Sequence, residues 1–339
     1  MHVLDDDAVA ALISLEELLP VIETAFLKQG RGEVERPERP HFPVGEGLDG
    51  RVEPAGTGLA MPAYVHGDPA YATKLVSVHP GNADADRPTV QAQVMLADAV
   101  DGAPLALLAG ERITDARTGC IGGLAARELA CGARNGAGSE PVDLAVIGAG
   151  QQARWQTCAI DVAVGGAVDG DRGVADARIY SLTRDSSEAC AADLRAEGID
   201  AEAVDSAATA VRDADVVVTA TTSETPVFPG EALSDGALVV AVGAYEAGMC
   251  ELDRATFDRA DRVFADVPEE VAGIGDVVDN DVDPERLVAL SAAFEGTASR
   301  ESDGEVIVVE SVGSAVLDAA AANHLWAVAD DGDGESVTL

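Results

Sequence analysis

The apolar positions of this chain follow two different rhythms, one on each side of about residue 141. In the first part, Ser14-Leu-Glu-Glu17 has the pattern of a capping box, in which a hydroxyl and a carboxylate each satisfy a free backbone N–H. It predicts a helix to about Gln29, with Gly30 stopping it. Residues 31–60, rich in Gly, Pro and charge, read as loop and short strands. Residues 71–78 and 91–97 alternate apolar and polar side chains as half-buried strands do, and 114–130 reads as a helix. Residues 131–141, dense in Gly, Asn and Ser, form a hinge-like connector.

From residue 142 the rhythm changes to short β-branched runs separated by helix-sized stretches. Strands are predicted at 142–147, 177–181, 215–220, 237–242, 262–265 and 305–310, with helices at 151–164 and 314–329. Continuous apolar strands alternating with helices imply a parallel sheet covered on both faces. The expected fold class is α/β, with a doubly wound parallel sheet joined to a smaller α+β part. Residues 165–176 form a Gly/Asp-rich loop in the first crossover, and the acidic tail from Asp330 is expected to fray.

With 339 residues the chain has room for two domains. Its 47% hydrophobic content and mean hydropathy of +0.10 are those of a globular protein, and no apolar run approaches the roughly 18 residues that cross a bilayer. The start, Met1-His-Val-Leu-Asp-Asp-Asp, lacks a basic n-region and an apolar h-region, and five cysteines without a CxxC suggest a reduced cytoplasmic protein with no structural metal.

Charge adds a further inference. Asp and Glu number 61 against 22 Lys and Arg, a net charge of −39, which argues against nucleic-acid or anionic-membrane partners. Only Lys28 and Lys74 are lysines. A Lys-poor, strongly acidic globular chain suits a cytoplasm at molar salt, where the Debye length is about 3 Å and self-repulsion is screened; a halophilic, archaeal source is expected.

Gly148-Ala-Gly150-Gln151-Gln152-Ala153 directly follows one predicted strand and opens a helix, the context that a dinucleotide fingerprint requires. The first Gly allows the tight turn, the second lets a pyrophosphate approach the backbone, and Ala153 lets helix and strand pack closely. At the end of the next strand, a carboxylate would read the ribose 2′-hydroxyl of NAD(H). Ser181 stands there instead, followed by Thr183 and Arg184. This favours NADP(H), with NAD(H) as the second option; the alternative is that Arg184 pairs with surface acids.

Three cations of the first part flank turns or strands: Arg39, Lys74 and Arg117. Each has an ordinary reading as a solvated surface group. Lys74 is the exception in composition, a rare lysine placed inside an apolar strand.

The chain resembles the ornithine cyclodeaminase/mu-crystallin family through Met61-Pro62, Lys74-Leu-Val-Ser, His79-Pro-Gly-Asn82, Pro88-Thr89, Asp101-Gly-Ala-Pro104, Thr114-Asp-Ala-Arg117-Thr-Gly, the 148–153 turn, Gly243 followed by Glu251-Leu-Asp253, and Ser311-Val-Gly313 with Asp318. The resemblance implies a substrate-binding and dimerisation domain from residues 1–117 and 311–339, and a Rossmann domain from 118–310. It implies that Arg39 and Arg117 grip an α-carboxylate, that Lys74 stands at the reacting carbon as the catalytic residue, and that Thr221 and Gly243 join the cofactor contacts. Family activities are ornithine cyclodeamination, alanine dehydrogenation and ketimine reduction, besides ligand binding without turnover. Cyclodeaminases carry an Asp where this chain has Ser223, and the archaeal alanine dehydrogenase carries one where it has Tyr245, beside Glu246. The stretch with Met249 is similar to the pyrroline-2-carboxylate reductase branch. The implied protein is an NAD(P)H-dependent, homodimeric reductase of small imino acids.

Overall fold

The computed structural model describes residues 1–85, 87–130, 141–165, 173–330 and 332–338. The connector expected at 131–141 therefore lies, apart from Pro141, outside the described residues, as does the stretch 166–172 of the first crossover. The chain divides into two compact units, one of Met1–Ser14, Arg31–Arg117 and Ala315–Leu339, the other of Leu15–Gly30 and Thr118–Ser314. No helix among the described residues is long and apolar enough to cross a membrane.

The first unit is an eight-stranded sheet. Its centre is an antiparallel meander of Gly56–Val65, Ala70–Val78, Val90–Asp98 and Pro104–Ala109, and His2–Leu4 adds in parallel to the last of these. Side chains alternate across the sheet with the two-residue period of a strand. Ala70, Ala72 and Lys74 are buried, whereas Tyr71 and Leu75 are exposed. The helix Ala315–Val328 lies over the central strands. Its run Ala319–Ala322 is buried, and such small side chains let a helix lie close on a sheet.

Three expectations for this unit need correction. Gly56–Val65 is a ten-residue strand where loop and short pieces were expected up to residue 60; its glycines masked the pattern, and at Gly58 a Cβ would stand 2.7 Å from the exposed Phe42 ring, which would have to turn aside. The following helix is Gly110–Leu129, beginning four residues before the expected Thr114, because the strand Pro104–Ala109 turns directly into it. The acidic tail does not fray throughout. Glu335–Ser336 pairs antiparallel with His2–Val3, and Val337 N donates to Met1 O at 2.8 Å.

The second unit is a wholly parallel eight-stranded sheet in the order Ala201–Ala203, Val174–Tyr180, Val142–Ile147, Val216–Thr219, Leu238–Ala241, Val306–Glu310, Ala260–Ala265, Leu287–Ala289. This is the Rossmann arrangement. Its inner strands are apolar throughout, and Val216, Val217, Val218, Leu238, Val239 and Val240 are all fully buried. The sequence boundary at 117 put the first long helix in the other part. Leu15–Gly30 instead packs within this unit, on Gln151–Val164 and Ser291–Phe294, with the Phe26 and Phe294 rings 5.3 Å apart. The order of strands reverses at Val142–Ile147 and Val216–Thr219, and ligands of open α/β sheets bind outside the carboxyl ends at such a point.

Candidate functional site

In the first unit, the strand register places Lys74 opposite Met61 and Val94, on the face covered by the helix Ala315–Val328. It is 3% exposed. Burying an ammonium among apolar groups is costly unless it is paired, and the helix supplies the partner. Asp318 Oδ2 lies 2.6 Å from Lys74 Nζ, while Asp318 Oδ1 accepts from Arg117 Nε at 2.9 Å. Lys74 Nζ also donates to Thr114 Oγ1 at 3.3 Å. One buried carboxylate thus holds two buried cations, with Arg117 and Thr114 brought to it by a single turn of the helix Gly110–Leu129.

The electrostatics follow from that count. Burial lowers the Lys74 pKa to about 8 despite the opposing pull of Asp318, and the charges of Arg117 and Arg39 push it the same way as burial. Burial acts to raise the Asp318 carboxyl, but Arg117 and Lys74 outweigh it and hold it below the usual carboxylate range. Arg117 Nη1 is buried with no hydrogen-bond partner among the described residues. A buried guanidinium nitrogen in that state, beside an ammonium, is suited to a carboxylate ligand. The structure therefore brings Lys74 and Arg117 together and places the partly exposed Arg39 within electrostatic reach. Asp318 was visible in the sequence only as a family motif; its place in the cluster is a tertiary fact.

In the second unit, Gly148 ends the first Rossmann strand with φ +117°, a conformation that L side chains rarely adopt, and a Cβ there would stand 2.4 Å from Ala220 O. Gly150 caps the helix Gln151–Val164 without a side-chain bond to the first amides, and a Cβ at Gly150 would meet nothing within 4 Å. Ala153 is fully buried. A helix N-terminus whose N-cap has no side chain, with an open approach at Gly150, fits a pyrophosphate. Gln151 and Gln152 open that helix. Arg154, which the sequence reading passed over, braces the turn: Nη1 donates to Ala149 O at 2.7 Å and Gly150 O at 3.0 Å, while Nε and Nη2 hold Asp193.

Beyond the second strand, Ser181 Oγ donates to Thr183 O at 2.8 Å and receives a bond from Ser187, and Thr183 caps the next helix. Arg184 pairs with Glu188 at 2.7 Å and with Asp205 at 2.6 Å, the surface pairing that was the alternative reading of this residue. Thr221 and Gly243 follow neighbouring strands, and both donate their backbone N–H to Glu251. Glu251 is fully buried, and burial pushes its carboxyl up to about 7 against the bonds from Thr221 and Thr219. In the sequence Glu251 is visible only as part of the Glu251-Leu-Asp253 family motif, with no local sign of these partners.

Ser223 closes its own turn, with Oγ donating to Thr225 O at 2.6 Å and accepting from Thr225 N. It offers no carboxylate. Tyr245 is 46% exposed.

The chain as a whole is similar to known proteins. The sequence profile described as the ornithine cyclodeaminase/mu-crystallin family matches residues 1–333. A Delta(1)-pyrroline-2-carboxylate reductase of Bacillus cereus (strain ZK / E33L) is 33% identical over 293 residues, covering 83% of this chain and 84% of its own. A Delta(1)-pyrroline-2-carboxylate/Delta(1)-piperideine-2-carboxylate reductase of Azospirillum brasilense is 33% identical over 327 residues, 94% of this chain and 93% of its own. Among solved structures, the Thermococcus litoralis Delta(1)-pyrroline-2-carboxylate reductase in complex with NADH and L-proline superimposes with a TM-score of 0.87 at 30% identity, covering 99% of this chain and 100% of that one. With the fingerprint turn, the buried cation cluster and this likeness along nearly the whole chain, the protein belongs to the ornithine cyclodeaminase/mu-crystallin family.

Proposed function

We propose that the chain is an NAD(P)H-dependent reductase of small cyclic ketimino acids such as pyrroline-2-carboxylate, working in reverse as an amino-acid dehydrogenase. The observation that carries this reading is the buried cluster in which Asp318 fixes Lys74 and Arg117 while Arg117 Nη1 stays without a partner among the described residues. The guanidinium of Arg117, with Arg39, grips the α-carboxylate and orients the ring. Lys74 hands a proton to the imine nitrogen as the C=N bond is reduced, then regains one from solvent; in the reverse direction its neutral form takes that proton back. A nicotinamide dinucleotide, when bound, would supply the hydride for the imine carbon, leaving as NAD(P)+. Its holders are the 148–153 turn with Thr221 and Gly243.

NADP(H) is the preferred form in this proposal, because Ser181 presents no carboxylate to a 2′-phosphate and Arg184 stands beside it. Arg184 would exchange exposed Asp205 for that phosphate. The unit carrying Lys74 is also proposed to form a homodimer: Tyr71, Leu75 and Met95 leave apolar surface exposed on the sheet face opposite the helix Ala315–Val328.

The test is an assay of purified protein in molar KCl, with NADPH and NADH, against pyrroline-2-carboxylate, piperideine-2-carboxylate, and pyruvate with ammonia. Ornithine is tested separately for proline formation. Reduction of a cyclic imine is expected. Proline from ornithine with catalytic NAD would make the chain a cyclodeaminase, and binding without turnover on every substrate would make it a ligand-binding member.

A further inference from the structure

The fully buried Glu251 spans two loops that leave adjacent strands of the parallel sheet. Its Oε1 accepts from Thr221 N at 2.7 Å; its Oε2 accepts from Thr219 Oγ1 at 2.9 Å and from Gly243 N at 2.8 Å. Three donors converge on one carboxyl group and favour its ionised form, against the burial that raises its pKa.

The carboxylate is itself fixed from behind. The backbone N–H groups of Glu251 and Leu252 both donate to Asp276 Oδ1 at 2.7 Å, and Asn280 Nδ2 ties Leu252 O to Asp276 O at 3.0 and 2.8 Å. In front, the packing leaves no slack: a Cβ at Gly243 would stand 2.5 Å from Glu251 Oε1 and 2.3 Å from Thr221 O. The Gly148 turn abuts Ala220, the residue before Thr221. A continuous run of contacts therefore joins the pyrophosphate turn, the loop after Val216–Thr219, Glu251, and the loop after Leu238–Ala241, all along the carboxyl edge where an open α/β sheet takes its ligand.

We propose that Glu251 is a positioning residue for the dinucleotide, a carboxylate staple that sets the spacing of Thr221 and Gly243 so that both meet the bound cofactor. This rests on the reading of that edge as the nucleotide site. Glu251 touches no reacting atom in this assignment; it acts through the two loops.

Glu251→Gln tests it. The amide keeps the size of the side chain but turns one acceptor into a donor that faces backbone N–H groups, so the staple cannot hold all three partners. Direct NADPH and NADH binding by titration calorimetry, at fixed KCl, comes first with the parent protein; no binding there would defeat the nucleotide-site reading itself. Given parent binding, the nucleotide Kd and KM of Glu251→Gln are expected to rise by about tenfold or more, with the KM for pyrroline-2-carboxylate at saturating nucleotide within about twofold. A folded Glu251→Gln with the parent's nucleotide affinity, or with both constants raised equally, overturns the staple. If Glu251→Gln does not fold, Thr219→Val decides on the same two constants, since it removes one donor from the carboxylate and leaves an apolar strand residue. A selective rise in nucleotide Kd supports the proposal, and none refutes it.

Discussion

Replacing Lys74 by Met separates the proton donor from the scaffold around it. The stem keeps its volume in the covered face of the sheet, and Asp318 keeps Arg117 Nε at 2.9 Å, so no bare buried charge is created. Cutting a buried pair so as to strand one charge costs about 3–5 kcal/mol; with Arg117 still in place the loss should be nearer the ~1–3 kcal/mol of a hydrogen bond to a charged group. That lowers the thermal midpoint by a few degrees and leaves a folded enzyme. Turnover should fall much further, by about 10²- to 10⁴-fold, if Lys74 gives up the proton. The pH profile supplies the second readout. Burial lowers Lys74 to about 8, so reductive turnover by the parent should decline as pH rises through that value, while oxidation of the amino acid should increase through it. Both limbs should vanish in Lys74→Met. Lys74→Arg keeps a positive charge but gives up no proton at working pH, and should be as slow as Met. The folded-state value also lies below the ordinary 10.5, so the folded chain binds fewer protons than the unfolded one between pH 8 and 10.5; this group then makes stability rise, not fall, across that window. Near-parent turnover by Lys74→Met on every imine tried would refute the acid role and leave Lys74 as a structural partner of Asp318.

Arg117→Met should raise the KM for the imino acid by about tenfold or more with a smaller change in kcat, the signature of an anchor used equally in ground and transition states; a loss confined to kcat would contradict this. Arg184→Ala should weaken NADPH far more than NADH, measured by parallel binding titrations, and equal affinities in the parent would show that this arginine serves only Glu188 and Asp205. Because a charge of −39 repels itself when unscreened, the thermal midpoint should climb between 0.1 M and 3 M KCl; an unchanged midpoint would remove the inference of a high-salt cytoplasm.

Much of the nucleotide half was legible from local chemistry. The run Val142–Ile147, the Gly148 turn and the helix after it are neighbours in sequence, so strand period, positive φ and helix N-terminus can be read in one window of about a dozen residues. Lys74 was legible for a different reason, as one of only two lysines in an acidic chain and in a strand whose alternate residues are apolar. By itself, though, the alternation could not say whether that lysine faced water or the covered side. The helix Ala315–Val328 settled this by bringing Asp318 to it, across 201 residues from Arg117.

Other features were invisible for the same kind of reason. The strand Val306–Glu310 enters between two strands that precede it in the chain, the tail closes on His2–Val3, and Glu251 reaches Thr219, Thr221 and Gly243 from a different loop. Sequence alone determined the elements, their alternation and the turn that demands glycine, since propensity, period and backbone sterics act over a few residues. Tertiary structure decided strand order and the partners of the buried charges. A carboxylate or ammonium removed from water must find its counter-group wherever the packed chain brings one, and that proximity is set by the burial of apolar surface as a whole and not by any local pattern.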